Sequence, residues 1–203
     1  VLTKQIAECV QSAIGGKGVG VVIEAQHMGV PATAIEAAVA ARSLSSFKSE
    51  REAAEALYGP LKTRFRAKAT PAFLRQLELA LFAAKICAYA QGFAVMEAAS
   101  KEFSWNLPMA TIAKIWRAGC IIRSQFLDTI ASAFEQNKGL SNLLLAPDFV
   151  TMMQGATPAL RHIVARGAQE GLPLPALSSA LAFFDSYRQA RGTANLIQAQ
   201  RDF

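Results

Sequence analysis

Histidine and cysteine are scarce in this chain of 203 residues, which has two histidines and three cysteines. His27 and His162 have no partner at a metal-ligand spacing, and two such isolated histidines build no Ser-His-Asp or Cys-His arrangement. Cys9, Cys87 and Cys120 are odd in number, far apart and set in apolar surroundings. We therefore expect no metal site and no disulfide framework, and we predict reduced, packed thiols in a cytoplasmic protein.

The sequence also lacks a signal-peptide pattern and an uninterrupted apolar run of the ~18 residues that a membrane span requires. Lys85 and Glu97 interrupt its most hydrophobic region, so we expect no membrane partner. The formal net charge of +6 invites an anionic ligand, but the 21 basic residues are spread over the whole chain. Because dispersed positive charge is weak evidence for nucleic-acid binding, we expect no nucleic-acid partner.

Period-2 alternation is absent and helix signals follow one another along the chain, so the sequence predicts an all-α fold. Thr33 and Glu36 form a capping box that opens an alanine-rich helix. Thr70 followed by Pro71 predicts a second helix that runs to about Phe103, roughly 50 Å. Its apolar residues lie on more than one face, which predicts one long central buried helix. One predicted apolar stripe consists of Leu74, Leu77, Leu81, Ala84, Ala88 and Val95.

Three further helices are predicted, from Pro108 to about Asn137, from Pro158 to Glu170 and from Pro175 to about Arg191. A proline opens each of them, in the position where its missing N–H costs least. After the glycine break at Gly192, the chain has too little apolar surface to fold independently. We therefore predict an extended C-terminal tail that is ordered only when it docks on another surface.

The stretch from Gly15 to Gly20, GGKGVG, is the first candidate site. Glycines let backbone N–H groups approach an anion, Lys17 adds a positive charge, and a following helix N-terminus would favour negative charge. The spacing matches neither the P-loop nor the GxGxxG fingerprint. A plain turn between helices is the alternative, and these residues alone leave both interpretations open.

Arg42 is the second candidate, because it shares one face of a predicted helix, at the spacing i, i+3, i+4 and i+7, with Ile35, Ala38 and Val39. A guanidinium on an apolar face needs a partner, since an unpaired buried charge costs several kcal/mol. Alternatively, Arg42 extends its head group to solvent or pairs with a nearby glutamate.

Four blocks of the sequence resemble the 6-phosphogluconate dehydrogenase family: GGKGVG with GVPATAIEAAVAARSLSSFK, then AKICAYAQGF, IWRAGCIIRSQFL and ALAFFDSYRQARGTANLIQAQRDF. The resemblance covers essentially the whole chain, but only the later part of such an enzyme. It implies that residues 1–191 belong to the family's C-terminal helical domain, incomplete at its start, and that residues 192–203 form a tail docking on a partner subunit.

The resemblance also implies the roles of individual residues. Lys17 and Arg42 match the lysine and arginine that bind the phosphate of 6-phosphogluconate, and Arg201 matches an arginine that the tail contributes to the other subunit of a homodimer. The family's NADP-binding domain, lysine base and glutamate acid have no counterpart in these residues. We therefore predict no catalytic residue in this chain and no activity of the 203 residues alone. The block that contains Lys85 resembles the second copy of an internal repeat of the family. Lys85 would then correspond to the catalytic lysine of the first copy and have a structural role.

Two other interpretations stay open at this point. The first is the helical domain of another hydroxyacid-type dehydrogenase, which would lack the NLIQAQRD segment present here. The second is a non-catalytic helical interaction module, which the absence of catalytic residues favours.

Overall fold

The computed structural model describes residues 27–60, 69–119, 126–192 and 194–201, and all regular structure in these ranges is helical. The all-α prediction is therefore confirmed. A short 3-10 helix at Leu143–Leu145 accompanies eight α-helices in the described ranges. These are α1 (Thr33–Ser46), α2 (Lys48–Tyr58), α3 (Pro71–Glu102), α4 (Met109–Gly119), α5 (Phe126–Gln136), α6 (Pro147–Gln169), α7 (Pro175–Tyr187) and α8 (Ala194–Arg201).

Helix α3 is the long central helix that the sequence predicts. The hydroxyl of Thr70 accepts a hydrogen bond from the backbone N–H of Phe73 at 3.2 Å, and Pro71 occupies the first helical position. The helix ends at Glu102, with Phe103 as its C-cap. It packs against α1, α6, α7 and the 3-10 helix. The predicted start, end and central place of this helix are confirmed.

The buried face of α3 differs from the predicted stripe. Ala83, Ile86, Cys87 and Ala90 are fully buried, whereas Leu74 and Leu81 of the predicted stripe are about half exposed, at 51% and 52%. By length and composition alone, α3 could also cross a membrane, because an 18-residue window has a mean hydropathy of 1.6. The core helix of a soluble protein passes the same test, and 44% of this window is buried against the rest of the described fold.

Helix α1 begins as predicted, but its capping differs from the predicted box. Ala32 is the N-cap, so no side-chain cap comes from that position, and Thr33 is already the first helical residue. The side chain of Gln91, which belongs to α3, accepts a hydrogen bond from the backbone N–H of Ala34 at 3.0 Å. The cap therefore comes from a neighbouring helix instead of the local sequence.

The predicted single helix from Pro108 to Asn137 is wrong, because α4 and α5 pack against each other. Lys114 pairs with Glu135, and Arg117 pairs with Asp128. In one straight helix, Lys114 and Glu135 would lie about 30 Å apart, so the chain reverses direction between these helices.

Helix α6 begins at Pro147. The sequence-based prediction of a start at Pro158 is therefore wrong. Pro158 lies in its interior, where it removes one intrahelical hydrogen bond. The helix continues through Pro158 because tertiary packing stabilises it on both sides of the proline, where Met153 and Leu160 are almost fully buried. Helix α7 starts at Pro175 as predicted but ends at Tyr187, before the predicted Arg191.

The main buried cluster is formed by α3 to α7 and the 3-10 helix, and Ala34 of α1 also belongs to it. Cys87 is a buried free thiol in this core, and burial raises its pKa to about 12, so the thiol stays protonated and unreactive. This burial confirms the predicted packing of Cys87, whereas Cys9 and Cys120 lie outside the described residues. The other largest fully buried side chains are Phe93, Phe149, Ile86, Leu127, Ile130, Leu143, Met153, Leu160 and Gln91.

Candidate functional site

Arg42 is the best described of the predicted site residues. It lies in the second half of α1, on the face that carries the half-buried Ile35 and Val39, and its side chain is exposed. Its guanidinium makes no hydrogen bond or ion pair with any other described residue. The head group of Arg42 extends to solvent and has no glutamate partner among the described residues. The cation is therefore accessible to a ligand.

Side chains near Arg42 donate hydrogen bonds to backbone carbonyls in the C-terminal part of α1. Ser45 donates to the backbone carbonyl of Arg42 at 2.6 Å, and Ser43 donates to the carbonyl of Val39 at 3.1 Å. Arg51 of α2 donates from its guanidinium to the carbonyl of Ser45 at 3.1 Å. The bond from Arg51 gives a partner to a carbonyl in the last turn of α1, where carbonyls have no intrahelical donor, and the two serine bonds add to carbonyls already within the helix.

The N-terminal half of α1 is fixed on α3 by Gln91, a residue that the sequence analysis did not identify. Its side chain is fully buried, and it bonds to both Ala34 and Thr33. A polar side chain inside the apolar block AKICAYAQGF was the available signal, because a buried amide requires partners. The sequence could not show that those partners lie in α1.

Lys17 and the whole glycine loop lie outside the described residues. Arg201 is described, at the end of α8, and its side chain is exposed. The tail is thus helical over Ala194–Arg201, and Ile197 on this helix is 58% exposed.

Lys85 has a different environment from the exposed arginines. Its ammonium lies over the ring of Phe126, 5.0 Å from the centroid, and over the ring of Phe82 at 5.5 Å. Such cation–π contacts stabilise a packed lysine without giving it a ligand to act on. This environment agrees with the structural role that the sequence analysis gives to Lys85.

A second cationic region lies between α6 and α7. Arg161, His162 and Arg188 line an open cavity of about 630 Å³ there. Asp185 accepts a hydrogen bond from Arg161 at 2.7 Å and one from Arg188 at 3.2 Å. The bond from Arg161 is the main cause that lowers the pKa of Asp185. Because this carboxylate neutralises part of the local charge, the region is a weaker anion site than an unpaired arginine.

The described residues thus form an all-α fold with an exposed arginine on α1 and another at the end of the tail helix α8. A model of the family described as 6-phosphogluconate dehydrogenase, C-terminal domain, matches residues 2–203. The chain belongs to the 6-phosphogluconate dehydrogenase family and corresponds to its C-terminal domain. This membership confirms the resemblance read from the sequence and excludes a different hydroxyacid-type dehydrogenase family.

Relatives with this description are similar along nearly the whole chain. The decarboxylating 6-phosphogluconate dehydrogenase of Staphylococcus aureus (strain N315) is 46% identical over 201 residues, which are 98% of this chain and 42% of the relative. The enzyme of Ovis aries is 44% identical over 203 residues, again 98% of this chain and 42% of the relative. The chain therefore spans less than half the length of these curated relatives.

A solved structure supports the same relation. The Plasmodium falciparum 6-phosphogluconate dehydrogenase, described in its apo form, with its cofactor NADP+ and with its substrate 6-phosphogluconate, superimposes with a TM-score of 0.86 at 37% identity. The match covers 93% of this chain and 41% of the Plasmodium chain.

Proposed function

We propose that this chain is the substrate-binding and dimerisation part of a decarboxylating 6-phosphogluconate dehydrogenase. Such an enzyme converts 6-phosphogluconate to ribulose 5-phosphate with reduction of NADP. The observation that carries the proposal is the match of residues 2–203 to the family's C-terminal domain, together with relatives at 46% and 44% identity.

Three cations of this chain bind the substrate's phosphate in our proposal: Lys17, Arg42 and, in trans, Arg201. A phosphate dianion is best held by several converging cations, with charge-assisted hydrogen bonds worth about 1.5–3 kcal/mol each. Arg42 suits this role because its exposed guanidinium is unpaired among the described residues. It can therefore donate both N–H groups of its fork to phosphate oxygens without first breaking an ion pair. Binding at the phosphate would orient the distant reacting carbon.

The tail supplies its arginine to the partner subunit of a homodimer. Helix α8 has an exposed apolar residue, Ile197, and an exposed terminal arginine, Arg201, as expected of a segment that docks elsewhere. A short helix of this composition gains little by folding alone, so a second surface is needed to order it. A two-fold axis would give two equivalent composite sites, each with Arg42 of one subunit and Arg201 of the partner subunit.

NADP, the hydride acceptor of the reaction, is bound in this proposal by a domain that the present sequence does not contain. The base and the acid of the reaction also lie outside these residues, so we propose that the 203 residues alone do not turn over substrate. The buried free thiol of Cys87 agrees with a reducing, cytoplasmic location.

The test is the steady-state kinetics of full-length enzyme with Arg42→Ala, Arg42→Lys or Lys17→Ala. We expect Arg42→Ala to raise the KM for 6-phosphogluconate by at least ~10-fold, since one charge-assisted bond is lost. Arg42→Lys should restore only part of the affinity, because lysine lacks the planar fork. Lys17→Ala should act in the same direction as Arg42→Ala.

Arg75→Ala is the matched control, because Arg75 is also exposed but is paired with Glu78 at 2.7 Å. This variant should leave the KM unchanged. A normal KM in both Arg42→Ala and Lys17→Ala, or lowered thermal stability as their only defect, would refute the phosphate-site assignment.

A further inference from the structure

We infer that Gln91 is a positioning residue for substrate binding: it caps the N-terminus of α1 from within α3 and so fixes the place of Arg42. The inference rests on the proposed role of Arg42. It concerns a residue that bonds to Ala34 and Thr33 instead of Arg42, and that acts through the backbone of α1.

The side chain of Gln91 makes two hydrogen bonds to the first turn of α1. Its Oε1 accepts from the backbone N–H of Ala34 at 3.0 Å, and its Nε2 donates to the hydroxyl Oγ1 of Thr33 at 3.2 Å. Gln91 itself is fully buried, and Ala34 is 95% buried, with an exposed fraction of 5%. The bond between Gln91 and Ala34 is therefore held away from water, where an unmade hydrogen bond costs most, whereas Thr33 is exposed.

The local sequence of α1 cannot provide this cap. The N-cap residue is Ala32, which has no side-chain acceptor and is itself fully buried. The first N–H groups of a helix have no intrahelical partner, and one left unsatisfied in the interior destabilises the folded state. Gln91 supplies an acceptor to one of these groups, so the bond also dictates where α1 begins on the surface of α3.

Apolar packing strengthens the same junction. Val95 lies one turn after Gln91 on α3 and packs with Ala32 in a small buried cluster that also contacts Met28, Val30 and Ile35. Beyond this junction α1 runs along α7. The N-terminal end of α1 is thus held by a polar and an apolar contact to a single turn of α3.

Arg42 is sensitive to this junction because it lies at the far end of the same rigid helix. It follows Ala34 by about two turns, or roughly 12 Å along the helix axis. A tilt of about 10° at the junction would displace the backbone of Arg42 by about 2 Å by this geometry. Displacements of about 1 Å in a positioning group can reduce catalytic efficiency by ~100-fold. Loss of the Gln91 cap should therefore weaken substrate binding without removing any cation.

The experiment measures KM and kcat of the full-length enzyme with Gln91→Met, which keeps an unbranched side chain of similar size but removes both hydrogen bonds. We expect the KM for 6-phosphogluconate to rise by about 10-fold, and by more than kcat falls. Ser100→Ala is the control, because Ser100 is a second buried polar residue of α3. Its hydroxyl accepts from the backbone N–H of Leu107 at 2.8 Å and does not touch α1. It should lower stability without changing the KM.

Coupling to Arg42 separates a positioning role from a merely structural one. In an Arg42→Ala background, Gln91→Met should raise the KM by less than about twofold further, since the arginine it positions is gone. Thr33→Val provides a milder variant if Gln91→Met does not fold, and should raise the KM by about threefold through loss of one bond.

A folded Gln91→Met enzyme, or a Thr33→Val enzyme, with wild-type KM would overturn the inference, as would full additivity with Arg42→Ala. The proposed function is tested separately by the Arg42→Ala single variant. If the Arg42→Ala variant keeps a normal KM, the phosphate assignment fails. If Arg42→Ala raises the KM but the Gln91→Met and Thr33→Val variants keep a normal KM, only the positioning role of Gln91 fails.

Discussion

Two glycines of helix α6 should respond to the same substitution with stability changes of opposite sign. Gly155 and Gly167 both lie inside Pro147–Gln169. A Cβ atom added at Gly155 would have no neighbouring heavy atom within 4 Å. A Cβ atom added at Gly167 would meet Cδ1 of Leu174 at 2.5 Å, its Cγ at 3.1 Å and the carbonyl oxygen of Leu172 at 3.3 Å.

The magnitudes follow from two opposing effects. Replacing glycine by alanine in a helix interior stabilises by about 0.5–1 kcal/mol, because the unfolded chain loses conformational freedom. Forcing an extra methyl group into a packed site costs about 1–3 kcal/mol. Gly155→Ala has only the first effect. Gly167→Ala has both, and it lies in the last turn of the helix, where the propensity gain is smaller.

The site at Gly167 also cannot relax freely, because it belongs to the helix C-cap. The backbone N–H of Leu172 donates to the carbonyl of Gly167 at 2.8 Å, and Gly171 has a φ of +70°. This is the Schellman arrangement that ends many helices. The side chain of Leu174 would have to change its rotamer to admit a methyl group, and moving the backbone of Leu172 would distort the C-cap bonds. We therefore expect net destabilisation of about 1–2 kcal/mol for Gly167→Ala.

The assay is thermal denaturation of full-length enzyme under one set of conditions. Gly155→Ala should raise the unfolding midpoint and Gly167→Ala should lower it. A rise of similar size in both variants would refute the reasoning, because it would mean that the chain after α6 does not pack on Gly167.

Two further predictions concern Asp185 and the isolated chain. The pKa of Asp185 is lowered from its ordinary value of 3.8, chiefly by the hydrogen bond from Arg161. The ionised carboxylate therefore stabilises the fold above about pH 4, and this stabilisation is lost as the pH falls through the lower pKa of the folded state. Asp185→Asn should abolish that part of the acid sensitivity in pH-dependent urea denaturation, and an unchanged acid profile would contradict the assignment. The purified 203 residues should give no substrate-dependent NADPH production. Measurable production would contradict the proposal that NADP binding and the catalytic base and acid lie outside these residues.

Proline shows how far local sequence could predict the fold. Thr70-Pro71 and Thr157-Pro158 look alike as helix starts, but only the first is one. The hydroxyl of Thr70 caps its helix, whereas the hydroxyl of Thr157 donates to the carbonyl of Met153 at 2.6 Å inside α6. The difference lies in tertiary burial on both sides of Pro158, which a local pattern does not contain.

The candidate site was predicted to a similar extent. Helical periodicity placed Arg42 on α1 with Ile35 and Val39, and only the structure shows that its head group is exposed. The local pattern at Thr33 and Glu36 predicted a capping box, but burial of the helix start against α3 made Gln91 the cap. The role of Arg201 comes from the resemblance, because no contact within one chain reveals a residue that acts on a partner.

The central claim, a phosphate site shared between subunits, is tested most directly by complementation. Full-length Arg42→Ala and Arg201→Ala enzymes, each defective alone, are mixed under conditions that exchange subunits, and the heterodimer is isolated and assayed. If Arg201 acts in trans, one of the two sites carries both lesions and the other carries neither, so the heterodimer should recover about half of wild-type activity. A verified heterodimer without recovered activity would show that the tail serves its own subunit and would contradict the shared site.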